Sequence, residues 1–185
     1  MGMGDLEFIF DVVARQLPEA GVDFLMIGGH AVNYYGYSRA TVDVDFMVAS
    51  SQVSAVRSVM KAAGFVNVSE SENVVFFNHP QKPFRVDFLR VDEGTMKVLV
   101  LGARTIEYAG QVLLVPKLLD LISMKLFAIK SGSMKREQKD LPDIVNLAQE
   151  HDLSLEHDLK PLCEQFADEV IYERLAQRIR EMRRA

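Results

Sequence analysis

Residues 41–48 alternate. Val42, Val44, Phe46 and Val48 are apolar, while Asp43, Asp45 and Met47 fall between them. A period of two is the signature of a β-strand with one apolar face. It also sets Asp43 and Asp45 on the same side, a few Å apart. Two like charges so placed repel, and burial among apolar neighbours strengthens the repulsion. A divalent cation would remove it, and magnesium prefers hard carboxylate oxygens. A third acid, Asp87, has the same apolar framing in the Phe84–Val91 strand candidate. If the two strands are neighbours, the three carboxylates form one site able to hold two metals. The competing reading is the solvent face of an edge strand, with Arg39 and Arg85 as simple charge partners.

The elements around this strand follow from patterning. Leu6, Ile9, Phe10, Val13 and Leu17 repeat at helical spacing, and Pro18 and Gly21 close that helix. Val22–Ile27 reads as a buried strand, broken by Gly28-Gly29 and followed by a short helix from His30 to Tyr35. A helix beginning at Ser50 or Ser51 carries Val53, Val56, Val59 and Met60, and Gly64 stops it. Residues 73–78, 84–91 and 111–115 are further strand candidates. Pro116 suits the first turn of a helix reaching about Lys130, and the remainder is helical in character. The chain is therefore expected to be α+β, with a core over residues 1–115 and a helical part over 116–185 packed on it as one compact unit.

Composition narrows the function. Over 185 residues the formal net charge is −5, which argues against a protein that coats nucleic acid non-specifically. The exception is the stretch 174–185, with five arginines against Glu181. A solvated helix end, where arginine complements the helix dipole, explains it most simply. A single cysteine, Cys163, excludes an internal disulfide and a thiolate metal cluster. No apolar run is long enough to span a bilayer and no signal-peptide pattern opens the chain, so a cytoplasmic protein without a membrane partner is expected.

Taken together, Ile27-Gly28-Gly29, then Asp43-Val44-Asp45-Phe46, then Val86-Asp87-Phe88 resemble the nucleotidyltransferase superfamily that shares its fold with DNA polymerase β. The family pattern is an apolar residue, Gly, then Gly or Ser, followed by an Asp-x-Asp strand and a later strand acid. Within the superfamily, Gly28-Gly29-His30-Ala31 and the Arg39-x-Thr41-x-Asp43-x-Asp45 run are most similar to small stand-alone enzymes of the abortive-infection toxin–antitoxin type. Lys125, followed by Lys139-Asp140-Leu141-Pro142-Asp143, is similar to that group's helical motif. Two departures stand out: Gly29 supplies no hydroxyl, and Pro142 lies inside the lysine–acid motif.

The resemblance implies a polymerase β-like mixed sheet flanked by helices, with a helical C-terminal part. It implies an enzyme of the 2.7.7 type that moves a nucleoside monophosphate from NTP to an acceptor hydroxyl and releases pyrophosphate, with Mg²⁺ or Mn²⁺ as cofactor. Asp43, Asp45 and Asp87 would be the catalytic and metal-binding acids. Gly28, Gly29, Arg39, Thr41, Lys125 and Lys139 would bind the nucleotide. The acceptor would be tRNA or another RNA, or a protein, with a cognate antitoxin as partner. An aminoglycoside- or lincosamide-type antibiotic nucleotidyltransferase and a non-catalytic nucleotide-binding partner are the alternatives. Tyr34, Tyr35 and Tyr37 read as core aromatics more than as base-stacking residues, and Cys163 as a small core residue.

Overall fold

A computed structural model describes residues 3–82, 84–132 and 134–184. The chain divides into two compact units, one of Met1–Ala31 with Arg39–Lys117, the other of Val32–Ser38 with Leu118–Ala185.

The first unit is built on a five-stranded sheet in the order β1-β2-β5-β4-β3. Its strands are β1 (Phe24–Met26), β2 (Asp43–Ala49), β3 (Val66–Glu70), β4 (Val74–Asn78) and β5 (Arg85–Val91). Only β2 and β5 run parallel; β1, β4 and β3 are antiparallel to their neighbours. A separate hairpin joins β6 (Arg104–Tyr108) to β7 (Gln111–Val115). Its turn is held by the left-handed backbone of Ala109 and Gly110.

The opening helix α1 (Met3–Asp11) continues through a π-helical turn, Val12–Gln16, to Glu19. Pro18 does not end this helix as expected. It sits at the start of the Leu17–Glu19 segment, directly after the π-helical turn, and Gly21 with φ +71° terminates the run. The helix α2 (Gly28–Tyr34) begins at the glycine pair itself. Ser50–Gln52 forms a 3₁₀ turn leading into α3 (Val53–Ala62), and Gly64 with φ +88° follows it. The sequence reading missed β3, β6 and α4 (Glu93–Gly102). Of the helix α4 only Met96 is buried, so no amphipathic period marks it; its signal is the Asp92 cap, whose carboxylate accepts from Thr95 N–H at 2.9 Å.

The core of this unit is a chain of aromatic contacts through the sheet. Phe46 stacks on Phe88 at 5.5 Å between centroids and meets Phe10 and Phe24 edge-on, and Phe88 meets Phe77. Phe46 and Phe88 sit on alternate positions of β2 and β5, the face opposite the acids.

The second unit is helical: α5 (Leu118–Ser131), α6 (Met134–Glu150), α7 (Lys160–Phe166) and α8 (Glu169–Met182). Leu121, Ile122, Leu126, Ile144, Leu147, Leu159, Leu175 and Ile179 are its buried stripe. Pro142 lies inside α6 without breaking it, and its carbonyl accepts from Asn146 Nδ2 at 2.8 Å. Tyr35 is buried, and its carbonyl accepts from His151 Nε2 at 2.8 Å. Cys163 is buried, and burial pushes its thiol up to about 11.

Candidate active site

The parallel pairing of β2 with β5 decides the geometry. Asp45 lies directly across from Asp87, and Asp43 across from Arg85. Neighbouring strands are about 4.8 Å apart, so the side chains of these four residues crowd one patch of one sheet face. The strands form here because Val44, Phe46 and Val86, Phe88 face the core completely buried, which turns the alternate positions to the other side. Phe76 and Asn78 of β4, paired with Asp87 and Arg85, extend the same face.

Arg85 is the centre of the patch. Its Nε donates to Asp87 Oδ1 at 2.8 Å and its Nη2 to Asp43 Oδ2 at 2.9 Å. The guanidinium also lies 5.3 Å from the centre of the Phe76 ring. Asp87 is only 7 % exposed. Burial pushes its carboxyl up to about 6; the hydrogen bond from Arg85 opposes this, and the charges of Asp45 and Asp43 add to it. In the sequence Arg85 reads as a charge partner. The signal that it belongs to the site was its position two residues before Asp87, which on a strand means the same face.

Gly28 and Gly29 come against the acid patch from the end of β1. Ile27 N–H donates to the Asp45 carbonyl at 2.9 Å. Gly28 has φ +65°, and a Cβ there would lie 2.0 Å from Asp45 Oδ2. A Cβ on Gly29 would lie 2.5 Å from Thr41 Oγ1. The glycines are thus required by the close approach of Asp45 and Thr41, whatever else they bind. Thr41 Oγ1 donates to the Asp43 carbonyl at 3.3 Å, and half-buried Arg39 reaches the Ala40 carbonyl at 3.4 Å. His30 is buried: its Nδ1 and Tyr108 OH are 3.0 Å apart, its ring meets Phe10 edge-on, and its Nε2 has no hydrogen-bond partner among the described residues.

Two residues expected at the nucleotide lie in the second unit. Lys125 is 5 % exposed, and its Nζ donates to Asp140 at 2.8 Å and Asp143 at 2.7 Å. Lys139 is exposed on α6.

Among the described residues, no three His, Cys, Asp or Glu side chains close into a metal-holding cluster. The guanidinium bridging Asp43 and Asp87 takes the central place instead. The chemistry of the donor set still fits a hard divalent cation: it is carboxylate oxygen throughout, and the patch already recruits a cation of its own.

No protein-family model matches the chain, and no curated protein matches it in sequence. Solved structures do. An antigenic nucleotidyltransferase-like protein from Paracoccidioides brasiliensis superposes with a TM-score of 0.60 at 16 % identity, over 96 % of this chain and 93 % of that one. The chain has a nucleotidyltransferase fold. The antibiotic-resistance factor ANT(2'')-Ia gives 0.59 at 11 % identity, over 100 % and 97 % of the two chains. The lincosamide antibiotic adenylyltransferase LnuA, solved with lincomycin bound, gives 0.54 at 12 % identity, over 78 % of this chain and 96 % of its own. Within the nucleotidyltransferase fold of this chain, the acid patch lies on the parallel strand pair of the sheet. Among the described residues no helix is long and apolar enough to cross a membrane.

Proposed function

We propose that the chain transfers a nucleoside monophosphate from NTP to an acceptor hydroxyl. The observation that carries this is the register of Asp45 on Asp87, which gathers three acids on one sheet face beside the Gly28 turn. Asp43, Asp45 and Asp87 would hold Mg²⁺ or Mn²⁺, which when bound supplies positive charge to the triphosphate. The acceptor oxygen bonds to the α-phosphorus, the bond from that phosphorus to the bridging oxygen breaks, and pyrophosphate leaves. Asp87, which shares the sheet face with Asp43 and Asp45, takes the acceptor's proton. The rest is positioning, which dominates phosphoryl-type transfer. Backbone N–H groups at Gly28 and Gly29, the Thr41 hydroxyl and Arg39 orient the phosphates from the first unit. Lys125 serves as the hub of an ion-pair cluster rather than as a phosphate contact, since its ammonium is already given to Asp140 and Asp143.

Two acceptor classes fit. A toxin acting on RNA or protein, held by a cognate antitoxin, follows from the motif resemblance. A small antibiotic is supported by the likeness of the whole chain to ANT(2'')-Ia. The deciding experiment incubates the protein with each α-labelled NTP, Mg²⁺ or Mn²⁺, and in parallel total RNA, cell protein, aminoglycosides and lincosamides. The labelled species names the acceptor. In the same assay Asp87→Asn should bind NTP within a few-fold of native while transfer falls about 10²–10⁴-fold, the scale for a positioned acid–base group. Near-native transfer by Asp87→Asn would make Asp87 a structural strand residue. NTP binding with no labelled acceptor of any class would favour a non-catalytic nucleotide-binding partner.

A further inference from the structure

Arg85 occupies the place where the three acids call for a cation. Its two hydrogen bonds go to two different acids on two different strands, and both are of good length. This planar fork is what arginine offers and a point-charge lysine does not. The side chain is nevertheless 45 % exposed, so water reaches it, whereas the Asp87 side chain beneath it is buried. The Phe76 face lies 5.3 Å from the guanidinium in the same arrangement and holds the cation near the sheet by a contact that does not use the carboxylates.

We propose that Arg85 is the built-in counter-cation of the acid patch, a positioning residue that competes with divalent metal for Asp43 and Asp87. In the metal-free chain it neutralises and orients the two acids. It withdraws from at least one of them when metal loads, still held near the sheet by its contact with Phe76. Arg85 thereby sets the metal affinity of the site and keeps the fold intact without metal. The inference rests on the metal-dependent reading above.

Two consequences are opposite in sign. A residue that merely shapes the site would, on removal, weaken metal binding. A competitor would, on removal, strengthen it. An opposing charge at this range biases a carboxylate by about tenfold or more, so Arg85→Gln should bind Mn²⁺ at least tenfold more tightly. The same variant should lose thermal stability without metal, because two crowded acids are left without their partner. Added Mn²⁺ should then raise its melting temperature more than it raises that of the native protein. Arg85→Lys, which keeps the charge and loses the fork, should fall between the two.

The test is isothermal titration of Mn²⁺ into native protein, Arg85→Gln, Arg85→Lys and Asp45→Asn, with melting curves of each, with and without Mn²⁺. Tighter binding by Arg85→Gln in the order given supports the proposal, and so does binding that appears only in Arg85→Gln. Native binding that is lost in Asp45→Asn and equal or weaker in Arg85→Gln overturns the competition while leaving the metal site standing. Should Arg85→Gln melt too early to titrate, Arg85→Lys decides: affinity at or below native overturns the proposal. Absence of Mn²⁺ binding in every variant overturns this proposal and the metal-dependent reading together.

Discussion

The glycine pair shows how one atom can decide a site. Gly28 adopts φ +65°, a conformation a side chain disfavours by about 1–2 kcal/mol. The larger restriction is spatial, since a Cβ would fall at 2.0 Å from Asp45 Oδ2, too close for any contact. Gly28→Ala is therefore expected to displace the Asp45 carboxylate itself. NTP transfer should drop at least a hundredfold, and Mn²⁺ affinity should fall alongside it. Normal Mn²⁺ affinity in Gly28→Ala, measured by titration, would show that the carboxylate has another place to go. Gly29→Val would not isolate phosphate binding, because the new side chain meets Thr41 before any ligand.

At the scale of elements, the helices α5 and α6 carry a buried charge cluster. Lys125 donates to Asp140 and Asp143, and all three side chains are 6 % exposed or less. Arg136 comes to 3.7 Å of Asp140 from the helix surface. Desolvating ions in this way contributes little net stability, but removing one partner strands the others. Lys125→Met should destabilise the protein by about 3–5 kcal/mol in urea unfolding. Adding Asp140→Asn and Asp143→Asn should return most of that loss. If Lys125→Met unfolds like native protein, water or a ligand already compensates the acids. The basic end of α8 is tied down in similar fashion: Arg174 pairs with Glu137 at 2.5 Å, and Arg183 donates to the Leu153 carbonyl at 2.8 Å. These contacts favour a structural helix end over a nucleic-acid surface.

Over the whole molecule, acid stability turns on two buried groups of opposite sign. Burial, and next the charge of Arg39, lower His30 from 6.5 to about 4. The unfolded chain therefore takes up this proton first. Stability falls as pH drops below about 6.5, and the full loss, about 3 kcal/mol, is reached below about pH 4. Asp87 runs the other way: its folded carboxyl, at about 6, is protonated before the unfolded one at 3.8, so stability rises as pH falls through that window. His30→Phe keeps an aromatic ring against Phe10 and removes the first contribution, together with the pH-independent hydrogen bond to Tyr108. Urea midpoints from pH 8 to pH 4.5 should decline less steeply in His30→Phe than in native protein. Parallel curves would show that His30 is protonated in the folded state without penalty.

Much of this was legible in the residues themselves. The strand read at 41–48, which forms at Asp43–Ala49, the helical stripes after 116 and the Gly28-Gly29 break all survive in the structure, because each is a local pattern with one cheap solution. So does the nucleotidyltransferase fold that the acid pattern suggested. The element α4 was illegible because its apolar residues Val98 and Leu101 are exposed, and β3 because its alternation is confined to Val66-Asn67-Val68-Ser69 and its register shifts between Asn67 and Ser69. Local sequence determined that Asp43 and Asp45 share a face, since alternation is a property of one strand. It could not determine that Asp87 joins them, nor that Arg85 holds two of the three. Strand order and register are set by which apolar faces pack against each other across more than forty residues of chain, and only the folded sheet decides that.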